Sequence, residues 1–359
     1  MPESLTSLRV DCRHFRGHMP CRPHKQHGVH CSFCSYYEPT QERILIIKLG
    51  AIGDVIRTTP LLHPLKKQFP QARIYWITHT PEVVPKQVDH VLRFDSPGCR
   101  VALQTAFDLL INLDKDLEAC SLAAAITAKE KRGFILQDGH PWPADERANE
   151  KFLTGLFDDL SKAVSKSYLQ ELFEIAGYVF QGEKYILDPC EDGYQWEIDR
   201  TRPVIGLNTG CGGRWTSRLW AEENWRQLAQ RLLQSGYEVL LLGGSQEHEK
   251  NSRLAQQSGA RYFGHFPLQR FIHLVQQCDL VVTAVTMATH IAIGLNKKIV
   301  LFNNTFNPHE FELYGLGEIL QPDFDCDCYY AVECPNNCMQ YLRVDAVFAS
   351  CTRLLPITA

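Results

Sequence analysis

The run Ile44-Leu45-Ile46-Ile47, followed at once by Lys48-Leu49-Gly50-Ala51-Ile52-Gly53-Asp54-Val55-Ile56-Arg57-Thr58-Thr59-Pro60, constrains this chain more than any other stretch. A continuous apolar run is the pattern of a strand buried on both faces of a parallel sheet, where neither face needs polar side chains. Gly50 and Gly53 then open a tight turn into a segment whose apolar residues recur at helical spacing. Strand, turn and helix in that order form the first unit of a doubly wound α/β sheet. Ligands of such sheets sit outside the carboxyl ends of the strands, so Asp54, the carboxylate at the turn, faces a cleft rather than a core.

The alternation continues along the chain. Residues 73–78, 88–94, 107–112 and 131–136 read as further strands, and 118–128 as an alanine-rich helix. The helix over 54–68 contains Pro60 and Pro64, which lack a backbone N–H and should bend or shorten it. Residues 137–187 are less regular, with a loop-like Asp138-Gly139-His140-Pro141-Trp142-Pro143 and a packing helix near 167–176. A second series opens at 203–208 and runs through strands at 238–242, 279–283 and 298–302, with helices at 222–234, 268–276 and 286–294. At 359 residues the chain has length for two such domains, each with its own core. The expected division is a Cys/His-rich extension over 1–41, a first domain over 42–187, a second over 188–343, and a C-terminal helix over 344–359 returning to the first domain.

Charge and cysteine usage narrow the setting. A net charge of -4 gives no general basic field for nucleic acid. No apolar run reaches the roughly 18–20 residues that span a bilayer, and the N-terminus lacks the apolar core of a secretory signal. A cytoplasmic protein is expected, with room for a peripheral membrane contact and for a homo-oligomer. In a reducing compartment, clustered cysteines favour thiolate ligation of a metal over disulfides. Of the 14 cysteines, Cys12, Cys21, Cys31 and Cys34 crowd one end, interleaved with His14, His18, His24, His27 and His30. That segment has too few aliphatic residues for a core, so a metal is the expected staple; the alternative is a polar arm with reduced thiols. Cys326, Cys328, Cys334 and Cys338 crowd the other end, spaced to close one tetrahedral site. Two structural sites of zinc or iron are expected, with one composite site as the alternative. Four thiolates leave no open position, so neither site should carry chemistry.

Residues 46–60 are similar to the opening signature of the ADP-heptose:lipopolysaccharide heptosyltransferases, glycosyltransferase family 9. Arg218 before Leu219-Trp220 resembles that family's basic residue preceding a Trp. Gly243-Gly244-Ser245-Gln246-Glu247 resembles its Gly-rich loop with a ribose-binding acid, and Thr286 to His290 its phosphate-binding helix start. The likeness covers about residues 42–350. It implies a GT-B fold, two Rossmann-like domains facing a cleft, and inverting transfer of a heptose from a nucleotide-heptose, ADP-linked, without a catalytic metal. The acceptor would be a hydroxyl of a lipopolysaccharide-core glycan or of a protein. The C-terminal cysteines also resemble the metal finger of the autotransporter heptosyltransferase branch, which modifies serines on bacterial surface proteins.

On that reading Asp54 is the base that takes the acceptor proton, although an acid there also suits capping of its helix. Arg218 meets the charge that develops on the leaving diphosphate, with Arg214 nearby as a substitute. The loop from Thr209 and Gly210 allows close backbone approach, and the helix start at Thr286-Met287 offers free N–H groups. Glu247, or Glu249, accepts the ribose hydroxyls. His290, on an apolar helix, reads as a packing histidine within the donor site. One departure stands out, because Val285-Thr286-Met287 replaces the family's usual Asp-Ser-Gly; Asn303, Asn304 and His309 are the candidates to compensate. The alternatives to a transferase are a GT-B nucleotide-sugar epimerase and a non-catalytic, metal-stapled nucleotide-binding scaffold.

Overall fold

The computed structural model of the chain describes residues 4–191 and 193–357. The first sheet contains β1 (Arg43–Ile47), β2 (Arg73–Thr78), β3 (His90–Arg93), β4 (Phe107–Asn112), β5 (Ala128–Gln137) and β6 (His140–Pro143). The second contains β7 (Val204–Asn208), β8 (Glu238–Leu242), β9 (Leu280–Ala284), β10 (Lys298–Phe302) and β11 (Gly317–Leu320). Around them lie α1 (Arg22–His27), α2 (Ile52–Thr58), α3 (Leu62–Gln68), α4 (Ser96–Leu103), α5 (Leu117–Ala125), α6 (Asn149–Thr154), α7 (Asp158–Ala163), α8 (Tyr168–Ile175), α9 (Glu222–Gln234), α10 (His248–Ser258), α11 (Leu268–Gln276), α12 (Met287–Gly294) and α13 (Val344–Leu354).

Strand order is β3-β2-β1-β4-β5-β6 in the first sheet and β11-β10-β9-β7-β8 in the second. Every pairing is parallel except β5 with β6. In each sheet the order reverses beside the opening strand, between β1 and β4 and between β7 and β9. The crevices at these two switch points are where open α/β sheets take ligands. Ile44 to Ile47 are fully buried, as the unbroken apolar run requires.

Two local outcomes differ from the sequence reading, and a third follows it. Residues 138–143, expected as loop, form a hairpin, because Asp138 and Gly139 both adopt positive φ (49° and 79°) and so make the two-residue turn that joins β5 to β6. The 54–68 helix is divided as its prolines require, with a 3-10 turn over Thr59–Leu61 separating α2 from α3. The C-terminal helix does not return to the first domain. Its Val347 and Cys351 pack with Trp220, Trp225 and Leu232 in the core of the second domain, and Arg231 pairs with Asp345 at 2.6 Å. An amphipathic helix buries its apolar stripe on the nearest available core, and here that core is the second.

The domains are nevertheless joined by one continuous apolar core, in which Ile56 and Leu61 meet Ala288 and Ile291 as α2 packs on α12. The connecting segment is stitched to both sides. Ile186 N–H donates to Thr59 Oγ1 at 2.9 Å and Cys190 N–H to Gln276 Oε1 at 2.8 Å. Asn307, beyond β10, reaches back to the carbonyls of Ser161 and Val164 at 3.0 and 2.7 Å.

Candidate active site

At the first switch point the turns after β1 and β4 are bound to each other. Lys48 forms an ion pair with Asp114, each side chain only 5% exposed, and Asp114 also accepts the Leu49 N–H. Burial works against the Lys48 ammonium, but Tyr168 and the carboxylates of Asp114 and Asp54 outweigh it and hold it charged.

Asp54 stands in the first turn of α2. Its Oδ2 accepts the Ala51 N–H at 3.2 Å, and its Oδ1 lies 2.8 Å from Arg57 Nη2. Capping and availability for chemistry are therefore not exclusive, since the side chain remains 30% exposed. Burial pushes the carboxyl up, but Arg57, Lys48 and His290, with the Ala51 N–H, bring it below the ordinary aspartate range. The Arg57 guanidinium in turn stacks on Tyr168, 3.4 Å from the ring centroid. An ionised carboxylate at the mouth of a cleft can accept a proton from a hydroxyl.

His290 faces this turn from the second domain. A β-carbon on Gly53 would stand 2.5 Å from His290 Cδ2, so only glycine permits the contact. His290 Nδ1 lies 3.3 Å from the Tyr185 hydroxyl. Burial, reinforced by Arg57, pushes the imidazole down to about 3, so it is neutral at physiological pH.

The second switch point gathers the remaining sequence candidates. Thr286 caps α12, its Oγ1 accepting the Ala288 N–H at 3.2 Å, and Asn208 Nδ2 reaches both Thr283 Oγ1 at 3.0 Å and Thr286 Oγ1 at 3.3 Å. Met287, beside the cap, is half-buried. Arg218 is 8% exposed and donates to the carbonyls of Val285 and Cys211. Its Nε has no partner and, among the described residues, no carboxylate pairs with it. Burial pushes it down to about 10, still a cation. A buried, uncompensated guanidinium beside a helix N-terminus is matched to an anion with several oxygens. Arg214 is exposed and lies over Trp215, 5.6 Å from its centroid.

Glu247 accepts the Gly244 N–H at 2.9 Å. Gly210 is pressed against it, since a β-carbon there would meet Glu247 Oε1 at 2.1 Å. Thr209 is buried, donating to Asn251 Oδ1 at 2.6 Å, and its carbonyl takes Lys250 Nζ at 2.8 Å. Glu249 is exposed. At position 285 it is the backbone that is used, with the valine side chain in the core. Asn304 turns the other way, to Ser217 O at 2.8 Å and Cys338 Sγ at 3.2 Å; Asn303 bonds within its own loop and His309 is exposed.

Among the described residues, Cys326, Cys328, Cys334 and Cys338 are the one group of three or more Cys, His, Asp or Glu whose ligand atoms all lie within 4.8 Å of one another. Cys326 and Cys334 approach to 3.5 Å and Cys328 and Cys338 to 3.6 Å. A single zinc or iron with four sulfurs at about 2.3 Å spaces them about 3.8 Å apart, so the set fits one tetrahedral ion. The finger also braces the loop that carries Arg218: Ser217 N–H donates to Val332 O at 3.0 Å and Ser217 Oγ to Ala331 O at 2.7 Å. Cys12, Cys21, Cys31 and Cys34 are disposed differently, around a cavity of ≈ 310 Å³ in the extension.

Sequence reasoning missed Lys48, Asp114, Arg57, Tyr168 and Tyr185 as members of the site. A signal existed for Asp114, a charged residue just past the strand that neighbours β1 across the reversal. The two tyrosines come from the irregular 137–187 stretch, where no periodicity pointed to the cleft.

Two largely parallel sheets, each with its switch point beside its opening strand and joined where α2 packs on α12, define the class, a two-domain GT-B fold. The family model for glycosyltransferase family 9 (heptosyltransferase) matches residues 100–318. The chain is 23% identical over 300 residues to lipopolysaccharide heptosyltransferase 2 of Salmonella typhimurium, covering 74% of this chain and 84% of that one. Its fold matches E. coli ADP-heptose lps heptosyltransferase II with a TM-score of 0.65 at 18% identity, over 87% of this chain and 98% of that one. It also matches the iron-containing dodecameric glycosyltransferase TibC of enterotoxigenic E. coli with a TM-score of 0.56 at 13% identity, over 88% and 76%. The chain belongs to glycosyltransferase family 9 and is a glycosyltransferase. No described helix is long and apolar enough to cross a membrane.

Proposed function

We propose that this enzyme transfers a heptose, with inversion, from ADP-heptose to a hydroxyl of a glycan of the lipopolysaccharide core or of a protein. The reading is supported above all by α12, which serves both halves of the reaction. Its N-terminus adjoins the uncompensated Arg218 guanidinium through Val285, and one turn later His290 packs on Gly53 beside Asp54.

Asp54, ionised and partly exposed, takes the acceptor proton as the acceptor oxygen attacks the anomeric carbon. A positioned carboxylate supplies about a hundredfold to ten-thousandfold of rate. Arg218 and the α12 N–H groups stabilise the departing diphosphate, while Thr209, Gly210 and Glu247 hold the nucleoside, Glu247 on the ribose hydroxyls. Arg214 adds an exposed cation beside Trp215. The C-terminal thiolates hold a structural zinc or iron that keeps the Ser217–Arg218 segment in place and supplies no step of the transfer. The relatives named for lipopolysaccharide favour a glycan acceptor, and the finger's likeness to the autotransporter branch keeps a protein acceptor in view.

Asp54→Ala should abolish transfer while leaving ADP binding nearly intact. Full turnover by that variant would remove Asp54 from the role. Incubating donor without acceptor separates the reading from an epimerase, which would convert the sugar, and absence of donor turnover with every acceptor in a lysate would favour a scaffold.

A further inference from the structure

The extension ahead of β1 has a defined path but almost no core. Within residues 4–41 only Cys12 and Pro23 are buried. Yet the segment is anchored to the first domain at several points. Arg13 forks onto Asp89 at 2.7 and 2.9 Å, Arg73 Nη2 donates to Cys12 O at 2.5 Å, and a bridge joins Cys12 to Pro39. A segment of this size without apolar burial needs a staple.

At its centre is the ≈ 310 Å³ cavity, and all four N-terminal cysteines line it. Their placement contrasts with the C-terminal finger. There four sulfurs crowd within 4.8 Å, the approach one ion imposes, whereas the N-terminal sulfurs form no such group among the described residues. They come from separate points around the cavity: Cys12 at the bridge, Cys21 at the N-cap position of α1, Cys31 opening a short 3-10 turn and Cys34 closing it. Phe15, Met19 and Val29 give the wall an apolar lining, and Arg9 and Arg16 bring cations to it.

We propose that the extension encloses a polynuclear iron–sulfur cluster held by the thiolates of Cys12, Cys21, Cys31 and Cys34. Four cysteines complete the ligand set of such clusters, and in the four-iron form each thiolate binds its own iron, which requires sulfurs spread around a cavity rather than gathered on a point. The apolar wall covers part of the cluster, and Arg9 and Arg16 offset the negative charge of four thiolates. The cluster is the staple of the extension, and the proposal stands independently of the transferase reading.

The test uses the full chain, purified under argon and reconstituted with ferrous iron, sulfide and a thiol reductant, then desalted. Acid-labile sulfide and iron are measured together with visible absorption. About four sulfides per chain are expected, because a mononuclear thiolate site carries no inorganic sulfide. The double variant Cys31→Ser/Cys34→Ser should lose the sulfide and the visible band, while Cys326→Ser/Cys328→Ser should keep both. Protection of the four N-terminal cysteines from alkylation in the wild-type chain reads the same point without a variant. Wild-type protein that retains no labile sulfide after reconstitution, or sulfide unchanged in the Cys31/Cys34 double variant, would overturn the proposal.

Discussion

Gly53 of α2 and His290 of α12 meet so closely that a single methyl group between them would stand 2.5 Å from the imidazole Cδ2. This contact joins the helix that carries the candidate base to the helix that opens on the proposed donor site. Gly53→Ala should therefore overpack the domain boundary, at a cost of about 1–3 kcal/mol, and lower turnover by shifting α2. Urea unfolding measures the first effect and transfer assays the second. Coupling with His290→Ala in a double-mutant cycle would tie both to this contact.

The Asp54 carboxyl sits below the usual aspartate range because Arg57, Lys48 and His290 outweigh the effect of its burial. A base with a depressed pKa is lost only as pH falls through that lowered value, so the acid limb of kcat/KM should lie below the ordinary aspartate range. Arg57→Gln removes the nearest cation and should move that limb to higher pH. A limb that stays in place in a pH–rate profile would mean that another group titrates.

Among the described residues no carboxylate pairs with the buried Arg218, so its charge is available to the ligand. Arg218→Ala should weaken ADP binding by about 1.5–3 kcal/mol, roughly a ten- to hundredfold rise in Kd by calorimetry. Arg214→Ala, at an exposed cation, should change it far less.

The C-terminal finger touches the loop that carries Arg218 through Ser217, whose Oγ donates to Ala331 and whose carbonyl accepts from Asn304. Removing the proposed metal with a chelator, or replacing Cys328 with Ser, should raise the Kd for ADP without moving the acid limb assigned to Asp54. Calorimetry and a pH profile on the same preparation would separate the two.

The Lys48–Asp114 pair is buried on both sides. Asp114→Ala leaves the buried ammonium without its ion-pair partner and should cost about 3–5 kcal/mol in chemical unfolding, whereas replacing both residues with apolar ones of similar size should recover much of that loss.

The sequence by itself determined the alternation of strands and helices and both Gly-rich turns, and it singled out Asp54, Arg218 and Glu247 as candidates, because these follow from local periodicity and from residue chemistry at strand ends. It also determined that two cysteine groups exist. Only the tertiary structure decided how each group is spent. Spacing along a chain does not fix distance between sulfurs, so four thiols gather on one point in the finger and encircle a cavity in the extension. The same limit applies to Asp54: its local motif was legible, but the groups that keep it ionised are set in place by Lys48's pairing with Asp114, by Arg57's stacking on Tyr168, and across the domain boundary at His290. Those contacts are long-range, and the packing of α2 on α12 creates the last of them.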